Sequence, residues 1–394
     1  MTKTKTKTKT KTLSPLAALA AAATRAAAVA PKRPLVPIFA YARVTVTPRV
    51  FFTTIDIEAT DCDLYTSEIV TSLDYAAPQP GAPSSVCVDA RSLAQAVKAA
   101  VKLNDGRITI ERDDAHIVRL RVGPTLLPTL DAADYPPAPA VAEDGVYVGM
   151  SAWPTALAAV RPCASTEETR YYLNGVAIVS RTDASGVDVV ATDGHRLAAY
   201  HAAYATLSRA DMVGPGENLA APMSVSAIIP NGALDALADA SLLYITPHHV
   251  QARIGSRLIV SRLIDGTFPD YRRVIPPTAS TDKTTVYSAY CDVKSLSGAA
   301  MLAKQIGGKN APVAWEHATL RTKTGDDVSS SIPCIGAASP IVASIGFNST
   351  YLAALAMSFE AAGDMAPSVY LTDHQSPALW QGVSLRYVVM PMRV

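Results

Sequence analysis

Val86-Cys87-Val88-Asp89-Ala90-Arg91-Ser92-Leu93-Ala94-Gln95-Ala96-Val97-Lys98-Ala99-Ala100 carries three signals in one short stretch. The apolar run at its start reads as a strand. Asp89 follows, and its carboxylate can accept the free N–H groups of a helix's first turn. Leu93, Ala94 and Val97 then fall on one face of a helix. This unit recurs six times, beginning at Ser14, Asp89, Ser151, Asn231, Asp292 and Asn348. The first follows the chain start directly. The others are preceded by the runs Val86–Val88, Val146–Met150, Val225–Ile229, Val286–Tyr290 and Ile341–Phe347. The spacing, about 67 residues, is that of a repeated architecture. Alternating stretches between helices, such as Arg107–Val122 and Gly175–Ala191, read as hairpins.

Two units make a domain of about 130 residues, an ordinary domain size. The repeat therefore predicts an α+β fold of three similar domains, each with two helices packed on antiparallel sheets. The sheets would form an outer wall and the six helices an inner one. The Pro-rich segments Tyr135–Ala140 and Ile275–Thr278 mark the boundaries, giving domains 1–142, 143–276 and 277–394.

With 394 residues, the chain is long enough to bury real cores, and 49% apolar residues exclude a disordered composition. The net charge of +1 excludes a polybasic protein. Five lysines between Lys3 and Lys11 carry that balance, and without them the body is acidic. Nucleic acid could then be bound only by cations gathered on one surface. The five cysteines (Cys62, Cys87, Cys163, Cys291, Cys334) are scattered without a CxxC, which argues against disulfides and zinc and for a reducing compartment. No apolar run is long enough for a membrane span. Lys3–Ala30 imitates a secretory signal, but Thr24 and Arg25 interrupt its apolar part. An Ala-rich helix capped by Ser14 and started by Pro15 is the expectation. The Thr2–Thr12 repeat reads either as a basic tail or as an edge strand.

Four blocks narrow the reading: Tyr171-Tyr172-Leu173-Asn174-Gly175, Ala191-Thr192-Asp193-Gly194-His195-Arg196-Leu197, Asp265–Val274 and Tyr387–Val394. In order and spacing they resemble the beta sliding clamps of bacterial DNA polymerase III, as a divergent member. The resemblance runs from about Arg33 to the C-terminus. Val88–Arg91, Leu130–Pro136, Gly346-Phe347-Asn348 and Leu371-Thr372-Asp373 add weaker matches. It implies a processivity factor without catalysis or cofactor: two crescent subunits close a ring around duplex DNA, read without sequence preference. Cytoplasmic, nucleoid-associated work is implied with it. Polymerase and clamp loader would dock short peptides in a pocket. The positions matching that pocket are Leu173, Thr192, Gly194, His195, Arg196, Leu197, Pro269, Arg273, Val274, Asn348, Tyr351, Val388, Val389, Met390, Pro391 and Met392. Met and Val supply an adaptable apolar trough, while Arg196, Arg273 and Asn348 can fix polar groups.

Arg33, Arg91 and Lys98 match DNA-facing cations of the family. Further basic residues lie on or beside the predicted helices: Arg25, Lys32, Lys102, Arg161, Lys294, Lys304 and Lys309. Departures from the family stand beside them. The fourth helix carries Asp235 and Asp239 after Asn231-Gly232, the sixth has no cation before Glu360, and Glu167 replaces a neutral or basic residue. The resemblance places the homodimer interface at Thr125, Leu126 and Leu127 against Met301 and Leu302. The matching acidic stretch is thinned to Asp326 and Asp327.

Two alternatives come from other classes. Asp56-Ile57-Glu58 looks like the first motif of a metal-dependent 3′–5′ exonuclease, in which two strand carboxylates hold a metal pair. No second motif follows it. GxxxxGK[ST], GxSxG and HExxH are absent, and His248-His249 has no carboxylate or cysteine at ligand spacing. The other alternative is a clamp-like variant that binds clients without closing a ring.

Overall fold

A computed structural model describes residues 14–72, 82–112, 117–181, 183, 185–203, 206–209, 225–281, 286–290, 292–316, 319–324, 328–333, 337–338 and 344–393. The Thr2–Thr12 repeat, Cys291, Cys334, Asp326 and Asp327 lie outside the described residues. All six predicted helices form: α1 (Pro15–Val29), α2 (Ala90–Leu103), α3 (Trp153–Val160), α4 (Asn231–Leu237), α5 (Val293–Gly307) and α6 (Ser349–Ala362). Strands are otherwise antiparallel hairpins and ladders, so the class is α+β. None of the helices is long and apolar enough to cross a membrane.

Four of the six expected caps are made. Ala17 N–H donates to Ser14 Oγ at 3.3 Å, Ser92 N–H to Asp89 Oδ1 at 2.7 Å, Ser295 N–H to Asp292 Oδ2 at 3.1 Å and Thr350 N–H to Asn348 Oδ1 at 2.8 Å. Ser151 and Asn231 do not cap. Helix α3 starts two residues after Ser151, where Trp153 is fully buried, donating to Leu237 O at 2.8 Å, and Pro154 pre-sets the first turn. Asn231 is the first residue of α4, and its amide instead donates to Ser165 O at 2.8 Å.

The chain divides into two compact units. The first holds 1–141 and 251–261, the second 142–250 and 262–394. The Pro-rich segment after Tyr135 thus falls at a division, while Ile275–Thr278 runs inside the second unit.

In the first unit, β1 (Tyr41–Pro48), β2 (Thr53–Thr60), β3 (Leu64–Ser72) and β4 (Ser85–Asp89) form the sheet core, in the order β3-β2-β1-β4. Residues 257–261 pair with the outer side of β3. Helices α1 and α2 pack on each other. Leu19, Ala22, Ala23 and Ala26 of α1 join Leu93, Val97 and Ala100 of α2 and Val44, Ile55 and Ile57 of the sheet in one core. The Ala-rich part of the segment that imitates a signal peptide, residues 15–30, is therefore core structure in the folded unit. A separate sheet orders Ile108–Arg112, Val118–Val122 and Thr125–Pro128, with Thr125–Pro128 at its edge.

In the second unit, β5 (Gly175–Ser180), β6 (Val187–Thr192), β7 (Arg196–Ala202) and β8 (Leu385–Val389) lie side by side. Beyond β8 the same sheet continues through Ala378–Gln381, Ser368–Leu371 and Tyr287–Tyr290. The last long strand of the chain is thus sewn to a strand nearly 200 residues earlier. A four-stranded sheet of Val328–Pro333, Thr319–Thr324, Pro312–Glu316 and Ile345–Asn348 packs with α5 and α6.

Candidate peptide-binding site

The Thr192–Leu197 block is a tight hairpin turn between β6 and β7, held by two side chains. Thr192 Oγ1 donates to Arg196 O at 2.7 Å and accepts from Gly194 N–H at 3.1 Å. The Asp193 carboxylate accepts from His195 N–H at 2.9 Å, Arg196 N–H at 3.0 Å and Arg196 Nε at 2.9 Å. Gly194 has φ +87°, and a Cβ there would lie 2.3 Å from Arg170 Nη1. The conformation favours glycine, and a Cβ would have to displace the end of the Arg170 side chain. Tyr351 of α6 lies beneath the turn: its ring stacks on His195 with centroids 6.3 Å apart, and Arg196 Cζ sits 4.8 Å from its centroid.

Strand register aligns Thr192 with Leu197 and Leu197 with Val388. These residues face a cavity of about 750 Å³, a volume suited to several side chains of a peptide. Of the residues proposed from the sequence, Leu173, Thr192, Gly194, His195, Arg196, Leu197, Pro269, Arg273, Val274, Val388 and Met390 line it. The remaining five are placed around it. Tyr351 supports the turn, and Asn348 caps α6. Val389 is fully buried on the opposite face of β8 from Val388. Met392 N–H donates to Gly346 O at 2.8 Å, and Pro391 and Met392 line a neighbouring cavity with Ser344, His374 and Gln375. Met390 N–H donates to His195 O at 2.9 Å, tying the chain end to the turn.

The rim is ionic. Arg170 lines the cavity and pairs with Glu167 at 2.6 Å, which gives that departure a partner. Arg273 pairs with Asp270 at 3.0 Å. Residues absent from the sequence proposal also contribute: Arg170, Tyr172, Tyr271, Ile275, Pro276 and Pro277. The paired prolines, predicted as a boundary, form part of the wall.

The other proposed positions lie elsewhere. Arg33 and Lys98 are exposed, whereas Arg91 donates to Ala30 O at 2.9 Å and so caps the end of α1. In the second unit Arg161 forms a two-bond ion pair with Asp235 of α4, so the acidic helix neutralises it. Leu126 and Met301 are exposed at 44% and 57%, Leu302 and Thr125 are half-buried, and Leu127 turns into the core.

The Asp56-Ile57-Glu58 motif is otherwise engaged. Arg43, opposite Glu58 on β1, donates to its carboxylate at 2.8 and 2.5 Å, and Tyr65 O–H does so at 2.6 Å. Asp56 accepts from Ser67 Oγ at 2.9 Å. A carboxylate holding three donors has little left for a metal, and no group of three His, Cys, Asp or Glu suited to a metal occurs among the described residues. Burial pushes the Cys163 thiol up to about 12 and Cys87 up to about 11, so neither is a thiolate at neutral pH.

The family described as "DNA polymerase III beta subunit, central domain" matches residues 153–270, the segment that carries the turn. The beta sliding clamp of Caulobacter vibrioides is 27% identical over 362 residues, covering 86% of this chain and 89% of that one. That of Salmonella typhimurium is 26% identical over 369 residues, with the same coverage. Residues 153–270 thus match the central domain of that family, and most of the chain is similar to beta sliding clamps. Solved clamps share its fold. The Bartonella birtlesii clamp bound to griselimycin superposes with a TM-score of 0.75 at 24% identity, covering 96% of this chain and 98% of that one. The Streptococcus pneumoniae DNA polymerase III beta chain reaches 0.75 at 15% identity, with the same coverage. A clamp fold thus persists here at low identity.

Proposed function

We propose that this chain is a DNA polymerase processivity factor that encircles duplex DNA and holds polymerase and loader by short peptides. The observation that carries the reading is the cavity under the Thr192–Leu197 turn, with an apolar floor and a charged rim, built from two segments far apart in sequence. The ligand that suits it is a Gln-led peptide ending in Leu or Phe: apolar floor for the end, polar rim for the Gln. The ring is a homodimer of three-domain subunits, joined where Leu126 and Thr125 of one copy meet Met301 and Leu302 of the other. Arg33 and Lys98 face the duplex and contact phosphates without reading bases, with Arg91 engaged at the end of α1 beside them. The protein performs no catalysis of its own and works in the cytoplasm, on the nucleoid.

Binding of a fluorescent peptide of that pattern, together with retention on circular but not linear DNA, tests the reading. Peptide binding without retention on circles would mark the ringless variant instead. Magnesium-dependent release of nucleotides would overturn it in favour of a nuclease.

A further inference from the structure

A second cavity lies on the same face of the β6–β7–β8 sheet as the peptide cavity. Moving two residues along each strand from the Thr192–Leu197–Val388 row reaches Val190, Ala199 and Arg386; two more reach Asp188 and His201. Here the sheet face turns from apolar to basic. Arg181, Arg272, Arg386 and His201 line a cavity of about 350 Å³ with a single carboxylate, Asp188, among them. Tyr271 and Ile275 line both cavities and divide them.

Asp188 is buried, but it does not neutralise the arginines closely. Its nearest partners are Tyr271 O–H and His201 Nδ1, the latter at 3.0 Å, while Arg181 and Arg272 stand at 3.5 and 3.7 Å. Arg181 spends its other nitrogens on Asp183, outside the cavity. Arg386 is exposed and makes no ion pair among the described residues. Arg272 and Arg386 thus line one space whose single carboxylate, Asp188, is already shared among Tyr271, His201 and Arg181. An excess of positive charge in a concave, partly enclosed site is balanced most directly by an oxyanion, and planar guanidiniums bind phosphate oxygens in pairs.

We propose that this cavity is an anion site for a small phosphate-bearing molecule, distinct from the peptide pocket. Arg272 and Arg386 bind the phosphate oxygens, Asp188 and Tyr271 hold the back wall, and the Tyr271–Ile275 segment separates this ligand from a bound peptide. The proposal stands independently of the peptide reading, since none of the phosphate contacts lies in that pocket.

Titration of the full-length protein with inorganic phosphate, pyrophosphate and a deoxynucleoside triphosphate, at fixed ionic strength, tests it. The expected result is saturable binding in at least one arm; the tightest arm identifies the source of the phosphate. Amide resonance shifts should centre on Asp188, His201, Tyr271, Arg272 and 381–386. The Arg272→Gln, Arg386→Gln double variant should weaken binding at least tenfold and leave client-peptide affinity unchanged. Should the double variant melt early, Arg386→Gln alone serves, because that side chain is exposed and unpaired. Absence of saturable binding in all three arms would overturn the proposal. So would equal affinity in a folded variant, or shifts centred on Arg33 and Lys98.

Discussion

Gly194 shows how one residue sets the geometry of the peptide cavity. Its backbone is left-handed, and the space a Cβ would take is held by Arg170. Gly194→Ala should cost about 1–2 kcal/mol for the backbone alone and push Arg170 off the rim. Peptide affinity should fall at least about tenfold, near 1.4 kcal/mol, with a modest change in melting; fluorescence polarisation beside a thermal melt checks both. The two methionines near the chain end separate in the same assay. Met390 lines the cavity and is 42% exposed, whereas Met392 faces the neighbouring one. Met390→Ala should weaken the peptide about tenfold, and Met392→Ala should leave it nearly unchanged. An equal loss from both would show that the peptide spans the two cavities. Sequence blocks pointed to both residues alike, because a motif gives positions along the chain without their direction. Strand alternation decides direction, as it does for Val388 and Val389.

At the scale of elements, helix caps were legible where Ser, Asp or Asn directly precedes the first buried turn. The reading failed where a bulky residue took over the start, as Trp153 does, or where the amide found a distant carbonyl, as Asn231 does. Asp89→Ala should therefore cost about 1 kcal/mol, measured by denaturant unfolding, while Ser151→Ala should be silent. The β2 strand offers a pH test of the rejected metal motif. Burial, the largest influence, raises the Asp56 carboxyl above its ordinary range; Ser67 pulls it down and Glu58 pushes it up. Because the folded state holds that proton more tightly, Asp56 favours folding at low pH and loses that advantage as pH rises through the shifted value. Asp56→Asn keeps an acceptor for Ser67 and removes the ionised form. Its melting temperature should exceed the parent's at neutral pH, with the gap closing below the ordinary carboxylate range of about 4. The wall residues Arg170, Tyr271 and Pro276-Pro277 were not legible as site residues. Their roles depend on which strands become neighbours, and only the β7–β8 pairing decides that.

For the whole molecule, the proposed ring makes different demands on the two faces of each candidate interface strand. Thr125–Pro128 is an edge strand on which Leu127 is buried and Leu126 turned outward. Edge strands with exposed apolar side chains are surfaces that a soluble protein normally protects. On α5, Met301 is turned outward at 57% exposure, whereas Leu302 is half-buried. A homodimer that uses these surfaces buries Leu126 and Met301, so a charge at either position would be desolvated without a partner. Leu126→Asp and Met301→Asp should each give a monomer mass by light scattering while preserving melting and peptide affinity. Leu127→Asp should instead destabilise the first unit outright, because it places charge in its core. Retention on circular DNA should be lost in both monomeric variants, since a ring holds DNA by closure rather than by strong contacts. On that reading, exposed cations such as Arg33 and Lys98 add a weak, salt-sensitive attraction. A Leu126→Asp protein that stays dimeric, or one that is monomeric yet still retained on circles, would show that closure is achieved through a different surface.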